Sequence, residues 1–89
     1  MNTIPQKYYV DMIVRICRDG RKVPMYVIWD NHAYKIDKIR SVRETYSKAG
    51  GCGVRYECIV FGKIRYIFLE RNDRWFIESY IEQYQMDDF

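Results

Sequence analysis

One cysteine and one histidine have the clearest capacity for chemistry. Cys52 lies in the run Gly50-Gly51-Cys52-Gly53, where the glycines favour an exposed thiol beside backbone N–H groups that can bind an anion. A thiolate nucleophile also needs a base, and His32 is the only histidine. Nothing in the spacing places His32 beside Cys52. Cys52 is therefore a candidate reactive thiol, and a thiol-dependent enzyme ranks third among three hypotheses for the function.

The sequence gives no support for a metal, a nucleotide cofactor or acid–base catalysis. The three cysteines form no CxxC pair, and a single histidine cannot complete a typical zinc site. The glycine run fits neither the phosphate-loop pattern nor GxGxxG. Glu78, Glu82, Asp87 and Asp88 read as solvated charge near the C-terminus. We expect no catalytic residue, no metal ligand and no cofactor.

Basic residues interleaved with aromatic ones form a more informative pattern. Residues 1–48 carry ten Lys and Arg against five Asp and Glu, whereas residues 49–89 carry five against seven. On a small β domain, such residues can form a positive surface where bases stack on tyrosine rings. The residues predicted for this nucleic-acid or partner surface are Arg15, Arg21, Lys35, Lys38, Arg40, Arg43 and Tyr9. Alternating Lys and Arg also mark the wet face of ordinary strands, so nucleic-acid binding ranks second.

Apolar residues at a spacing of two predict the strands that would position these side chains. The strand segments are 8–17, 23–29, 54–61, 64–69 and 75–77. Asp19-Gly20 predicts a type I′ hairpin between the first two segments, and Asp30-Asn31 predicts a second turn. Pro24 has no N–H to donate, which predicts an edge strand or the start of a strand.

Residues 32–36 begin a further strand, with Tyr34 and Ile36 inward, but the residues that follow it, 37–48, fit two conformations. Ile36, Ile39, Val42 and Tyr46 follow one another at intervals of three, three and four, as on a helix with Asp37 as its N-cap. The same spacing fits a strand whose inward phase is reset by a β-bulge, and the β-branched content favours this bent strand. Residues 79–86 fit either a short amphipathic helix or a frayed tail.

We therefore predict one small domain over residues 1–89, with loose ends at 1–6 and 87–89. Its fold class is mainly β: an antiparallel bent sheet or small barrel of five or six strands, with at most one short helix. The alternative is an α+β fold with a helix at about 37–48 packed on the sheet. No apolar run reaches the roughly 20 residues of a membrane span, and the N-terminus lacks a secretory pattern. We expect a cytoplasmic protein with no membrane contact.

A family of small uncharacterised bacterial β-proteins resembles this chain over residues 22–78. The shared pattern is Pro24-x-x-x-x-Trp29-x-x-x-x-Tyr34-x-Ile36-x-x-Ile39, then Val54-x-Tyr56, and a closing strand Arg74-Trp75-Phe76-Ile77-Glu78. Asp30-Asn31 replaces the glycine usual after the first tryptophan. Some relatives are similar to segments attached to DNA-repair polymerases. The resemblance implies a bacterial β domain and transfers no catalytic residue.

The first-ranked hypothesis is a non-enzymatic binding or protein-interaction module. Pro24 indicates an edge, and the many aromatic residues leave apolar surface that a second copy or a protein partner can cover. Small domains often complete their core in this way. We therefore expect a homo-oligomer, most simply a homodimer. The alternative is a single-stranded nucleic-acid-binding module that uses the basic, tyrosine-containing surface.

Overall fold

The computed structural model describes residues 6–46 and 52–79, with the backbone alone at Cys52 and Ser79. These residues are all β and include no helix. The seven strands are β1 Gln6–Ile16, β2 Lys22–Trp29, β3 His32–Lys35, β4 Lys38–Tyr46, β5 Cys52–Val60, β6 Lys63–Glu70 and β7 Trp75–Ser79. They form one sheet in the order β3-β2-β1-β7-β6-β5-β4, and every neighbouring pair is antiparallel.

The two edges of this sheet are joined by a short corner, which we define as Ile36 and Asp37. Because β3 and β4 lie at opposite edges but only these two residues separate them, the sheet must curl into a half-barrel. The Ile36 N–H donates to the Met25 carbonyl of β2 at 2.9 Å, and the Asp37 N–H donates to the Ile59 carbonyl of β5 at 2.8 Å. The edges therefore meet at this end, which we call the closed end.

The concave face of the curled sheet holds the core. Its buried members are Val27, Ile36, Tyr56, Cys58, Val60, Ile67, Leu69, Trp75 and Ile77. Alternate residues of β1, from Tyr8 to Val14, pack against this cluster. The predicted alternation of the first strand is thus confirmed, with the even-numbered residues inward. Both tryptophans belong here, since Trp29 packs against the cluster that contains Trp75.

Two β-bulges help the sheet to bend. Met25 is the extra residue where β2 pairs with Ile13 and Val14 of β1, and Arg40 is the extra residue on β4. A bulge increases local twist and shifts the inward phase by one residue. This shift explains why Ile39 and Val42, three apart, are both in register with inward residues of β5.

The bulged strand at β4 confirms one sequence prediction and excludes its alternative. Residues 38–46 are strand, so the prediction of a helix at about 37–48 is wrong over this range. Residues 47–48, and the residues beyond 79 where a short helix was also considered, lie outside the described residues. The count of five or six strands is also wrong, because the corner divides one predicted bent strand into β3 and β4. Gln6, expected in a loose lead, begins β1 and pairs with Ser79.

One of the two hairpin turns predicted from the sequence has a different conformation from the predicted one. Asp19-Gly20 is not a type I′ turn: only Gly20 has a positive φ, of 91°, and the Gly20 N–H bonds the Cys17 carbonyl at 2.9 Å. This is a three-residue loop with glycine at the left-handed position. Asp30-Asn31 is the predicted tight turn, with φ of 51° and 64°.

Candidate binding surfaces

The first candidate surface is the open end of the half-barrel, opposite the corner. Here β4 diverges from the start of β2 and leaves a cavity of about 680 Å³, lined by residues that include Lys22, Tyr46, Val54, Leu69 and Asp73. An ion pair spans part of it, from Lys22 Nζ to Asp73 Oδ1 at 2.8 Å. This opening exposes part of the concave face to solvent.

Inward-facing residues of β4 remain exposed at this opening. Val42 pairs with Tyr56, and Tyr46 pairs with Cys52, so both are in register with the inward face of β5. Yet Val42 is 52% and Tyr46 is 82% exposed, whereas Tyr56 and Cys58 are buried. The strand edge that should complete the barrel is thus uncovered. We call the outer edge of β4, with Val42 and Tyr46, the open seam.

The backbone of the open seam is also available for pairing. Among the described residues, β4 hydrogen-bonds to β5 on one side and no strand pairs with its other side. The facing strand, β2, contains Pro24 at the segment that β3 does not cover, and proline cannot donate to a ladder. The nine residues of β4 therefore form a longer free edge than the four residues of β3.

Tyr56 ties β2 to the inside of the barrel near this opening. Its hydroxyl donates to the Lys22 carbonyl at 3.1 Å, and its ring lies 5.3 Å from that of Trp75. Burial raises the pKa of Tyr56, so the hydroxyl stays protonated and remains a donor.

The second candidate surface is the convex face, where one row of side chains crosses five strands. Its cross-strand partners run in the order Arg43, Arg55, Phe68, Phe76 and Tyr9. The two phenylalanine rings are stacked at 4.9 Å and both are buried, although they lie outside the barrel. The row therefore has two arginines at one end and a tyrosine at the other.

The arginine end includes a third side chain, Tyr66. The guanidinium carbon of Arg55 lies 4.9 Å from the centroid of the Tyr66 ring, which is 44% exposed. Arg55 Nε is buried without a hydrogen-bond partner. Glu57, the nearest carboxylate by register, is 3.5 Å from Arg40 Nη1 and accepts a hydrogen bond from the Ser41 hydroxyl at 3.4 Å. We call Arg43, Arg55 and Tyr66 the arginine–tyrosine surface.

The tyrosine end of the row is occupied by the chain's own side chains. Lys7 Nζ lies 2.6 Å from Glu70 Oε2, and the Tyr9 hydroxyl donates to Glu70 Oε1 at 3.0 Å. The hydrogen bond from Lys7 lowers the pKa of Glu70 and raises the pKa of Lys7. Arg74 Cζ lies 3.6 Å from the centroid of the Tyr9 ring, while Phe76 contacts that ring edge-on. Tyr9 is thus a weaker stacking platform than Tyr66.

The predicted basic residues do not form one continuous surface. Lys38, Arg40 and Arg43 lie together on β4, and Lys35 precedes the corner on β3. Arg15 and Arg21 belong instead to the β1–β2 hairpin, where Arg21 Nε is 2.8 Å from Asp19 Oδ2.

Tyr66 was not among the residues selected from the sequence. Its strand parity is the signal that could have found it, because Tyr66 alternates with the core residues of β6.

The cysteines divide into different environments. Burial raises the pKa of Cys58 to about 12, so this thiol is protonated and unreactive at neutral pH. Cys17 is half-buried, with Arg15 Nη2 at 3.8 Å from its sulfur. The backbone of Cys52 begins β5, but its side chain and the glycines at 50–51 lie outside the described residues, so its reactivity stays a prediction. His32, the base considered for it, packs edge-on against Tyr34 at 6.3 Å.

The described residues contain no group of three His, Cys, Asp or Glu side chains that could hold a metal ion. They also contain no helix of the length and apolarity that a membrane span needs. No protein-family model matches the chain, and comparisons with curated proteins and with solved structures find no match either.

Proposed function

We propose that this chain is a non-enzymatic protein-interaction module that self-associates along the open seam. The observation that carries the proposal is the exposure of Val42 and Tyr46, which are apolar and in inward register on a free strand edge. Addition of a strand at such an edge satisfies backbone groups and covers apolar surface in one step. A further strand on β4 also continues the curl of the sheet.

The sequence of β4 can pair with its own copy in an antiparallel register. If a two-fold axis passes through Val42, each Val42 lies opposite its own copy, which is the isologous arrangement of most homodimers. Ser41 of one copy then lies opposite Arg43 of the second copy, so no two like charges face each other beside the axis.

A second copy suits the open seam better than a strand supplied from within the described fold. The facing segment of β2 contains Pro24, which cannot complete a ladder with β4. Two β4 strands, by contrast, both offer a free edge of nine residues. A reducing cytoplasm suits this role, because Cys17 and Cys58 are free thiols.

Sedimentation equilibrium over a range of protein concentrations tests the proposal. We expect a reversible dimer for the wild type and a monomer for Val42→Glu, because this register places the two carboxylates opposite each other. Ile16→Glu is the matched control: Ile16 is 68% exposed and lies on β1, which does not pair with β4. A wild type that stays monomeric, or equal loss in both variants, would overturn the proposal.

A further inference from the structure

We propose that the arginine–tyrosine surface of Arg43, Arg55 and Tyr66 binds single-stranded nucleic acid. This site lies on the convex face, whereas the self-association proposed above uses the edge of β4. Two arginines face each other at this site, and one exposed ring lies beside them.

Arg43 and Arg55 are directly opposite on neighbouring strands. Like charges in this arrangement destabilise a sheet, so the pair has a cost that the fold does not require. No described carboxylate lies within ion-pair distance of either guanidinium. In addition, the Nε atom of Arg55 is buried and has no hydrogen-bond partner. An anion placed between the two side chains would relieve the repulsion, and phosphate fits guanidinium groups in geometry and charge.

Tyr66 indicates which class of phosphate compound would bind between the two arginines. Its ring is exposed, and the guanidinium carbon of Arg55 lies over the ring at 4.9 Å from its centroid, so an aromatic ring and a cation are adjacent at the surface. Unpaired bases stack on exposed aromatic rings while neighbouring phosphates bind arginines. A duplex keeps its bases stacked internally and cannot use the ring in this way. The ligand that uses both features is therefore a single strand.

The residues around this site also predict how weakly it discriminates among base sequences. Next to Arg55 in the row are Phe68 and Phe76, which are buried and carry no hydrogen-bonding side-chain group. Glu57 is neutralised by Arg40 at 3.5 Å and so does not cancel the two arginines. With stacking and phosphate contacts dominant, we expect weak preference among bases.

Fluorescence anisotropy with a labelled oligothymidylate tests this site in the full chain. We expect saturable binding at low salt that weakens as salt rises. Arg43→Gln should weaken binding and reduce the slope of log K against log salt by about 0.7, the value for one phosphate contact on a single strand. Tyr66→Ala should weaken binding on the order of tenfold, while Tyr66→Phe keeps the ring and should bind as the wild type does.

Arg18→Gln is the matched control, because it removes one exposed arginine from the β1–β2 hairpin and not from the convex surface. Loss of affinity in this control equal to that in Arg43→Gln would overturn the proposal in favour of general charge attraction. Wild-type affinity in Tyr66→Ala, or equal affinity for a duplex, would overturn it too. Val42→Glu should keep its oligonucleotide binding even as a monomer, so the two proposals fail separately.

Discussion

The two ends of the half-barrel hold their edges together by different means. At the closed end, backbone hydrogen bonds from Ile36 and Asp37 connect the corner to β2 and β5. At the open end, the contacts across the gap come from side chains: the exposed ion pair of Lys22 with Asp73, and the hydroxyl of Tyr56 on the Lys22 carbonyl. Exposed ion pairs typically stabilise by 1 kcal/mol or less.

This difference shows how one short chain combines a stable core with a free edge. The corner is part of the strand system, and Ile36 is buried in the core, so opening the closed end would disrupt the fold. The open end separates β4 from β2 with little loss of core contact. An edge kept apart in this way remains available to a second copy. The predictions below test the two ends in turn.

The largest effect is expected at the corner. Ile36→Ala removes most of a buried side chain where the two edges meet, and should lower the free energy of unfolding by about 2–4 kcal/mol. Urea unfolding followed by circular dichroism measures this loss. Val42→Ala, measured at concentrations where the chain is monomeric, is the comparison at the open end and should cost less than about 1 kcal/mol. Equal losses would show that the two ends do not differ.

A smaller effect is expected at the tie across the open end. Tyr56→Phe removes the hydroxyl that donates to the Lys22 carbonyl, and should lower the free energy of unfolding by about 1 kcal/mol. Tyr66→Phe removes a hydroxyl from an exposed ring and should change stability by less than about 0.5 kcal/mol. If both variants lose the same amount, the hydroxyl of Tyr56 does not hold the open end.

The turn at the closed end offers a stabilising change. Phe61 has a φ of 52°, nearly that of Asp30 in the matching turn, but a bulky residue is disfavoured in this left-handed region. Phe61→Asn should therefore stabilise the fold by about 0.5–1 kcal/mol, despite the lost edge contact with the Tyr34 ring at 5.6 Å. The change in melting temperature on thermal unfolding shows whether Phe61→Asn stabilises or destabilises the fold. Destabilisation would mean that the contact with Tyr34 outweighs the backbone strain.

Much of this fold was predictable because period-two alternation records which side of a sheet each residue faces. The strands and the concave core follow from that signal, as Tyr8 to Val14 illustrate. The corner was not predictable, since Ile36-Asp37 contains neither glycine nor proline, and Asp37 fits a helix N-cap as well as a turn. Its position depends on hydrogen bonds to Met25 and Ile59, which are remote in the sequence.

The candidate surfaces were predictable only in part. Arg43 was identified because basic residues cluster along residues 35–48. Its partner Arg55 depends on the register of β4 with β5, and a bulge at Arg40 sets that register. Composition could not show that Arg40 is paired with Glu57 while Arg43 is not. Pairing of strands, and not the local sequence, decides which charges remain available.

The smallest predicted effect depends on pH and lies on the convex face. Because the folded state lowers the pKa of Glu70, the pair with Lys7 stabilises the fold above the usual pKa of glutamate, and this stability is lost as the pH falls through the lowered value. Glu70→Gln should cost about 0.5–1 kcal/mol at neutral pH, and this cost should vanish as the pH falls through the lowered pKa of Glu70, because the wild type is then protonated as well. Urea midpoints measured over a series of decreasing pH values follow this change. If Glu70→Gln and the wild type differ in stability by the same amount at every pH, the loss comes from packing and not from the charge of Glu70.

Disulfide trapping at position 42 tests the open seam most directly. In a Cys17→Ser, Cys52→Ser background, the remaining Cys58 is buried with its thiol protonated. Val42→Cys then places two thiols across the two-fold axis, where opposing Cβ atoms are about 4.5–5.5 Å apart, close enough for a disulfide after a small adjustment. Mild oxidation should give a covalent dimer with Val42→Cys and leave Ile16→Cys monomeric. A monomer at position 42, or equal crosslinking at both positions, would contradict self-association through β4.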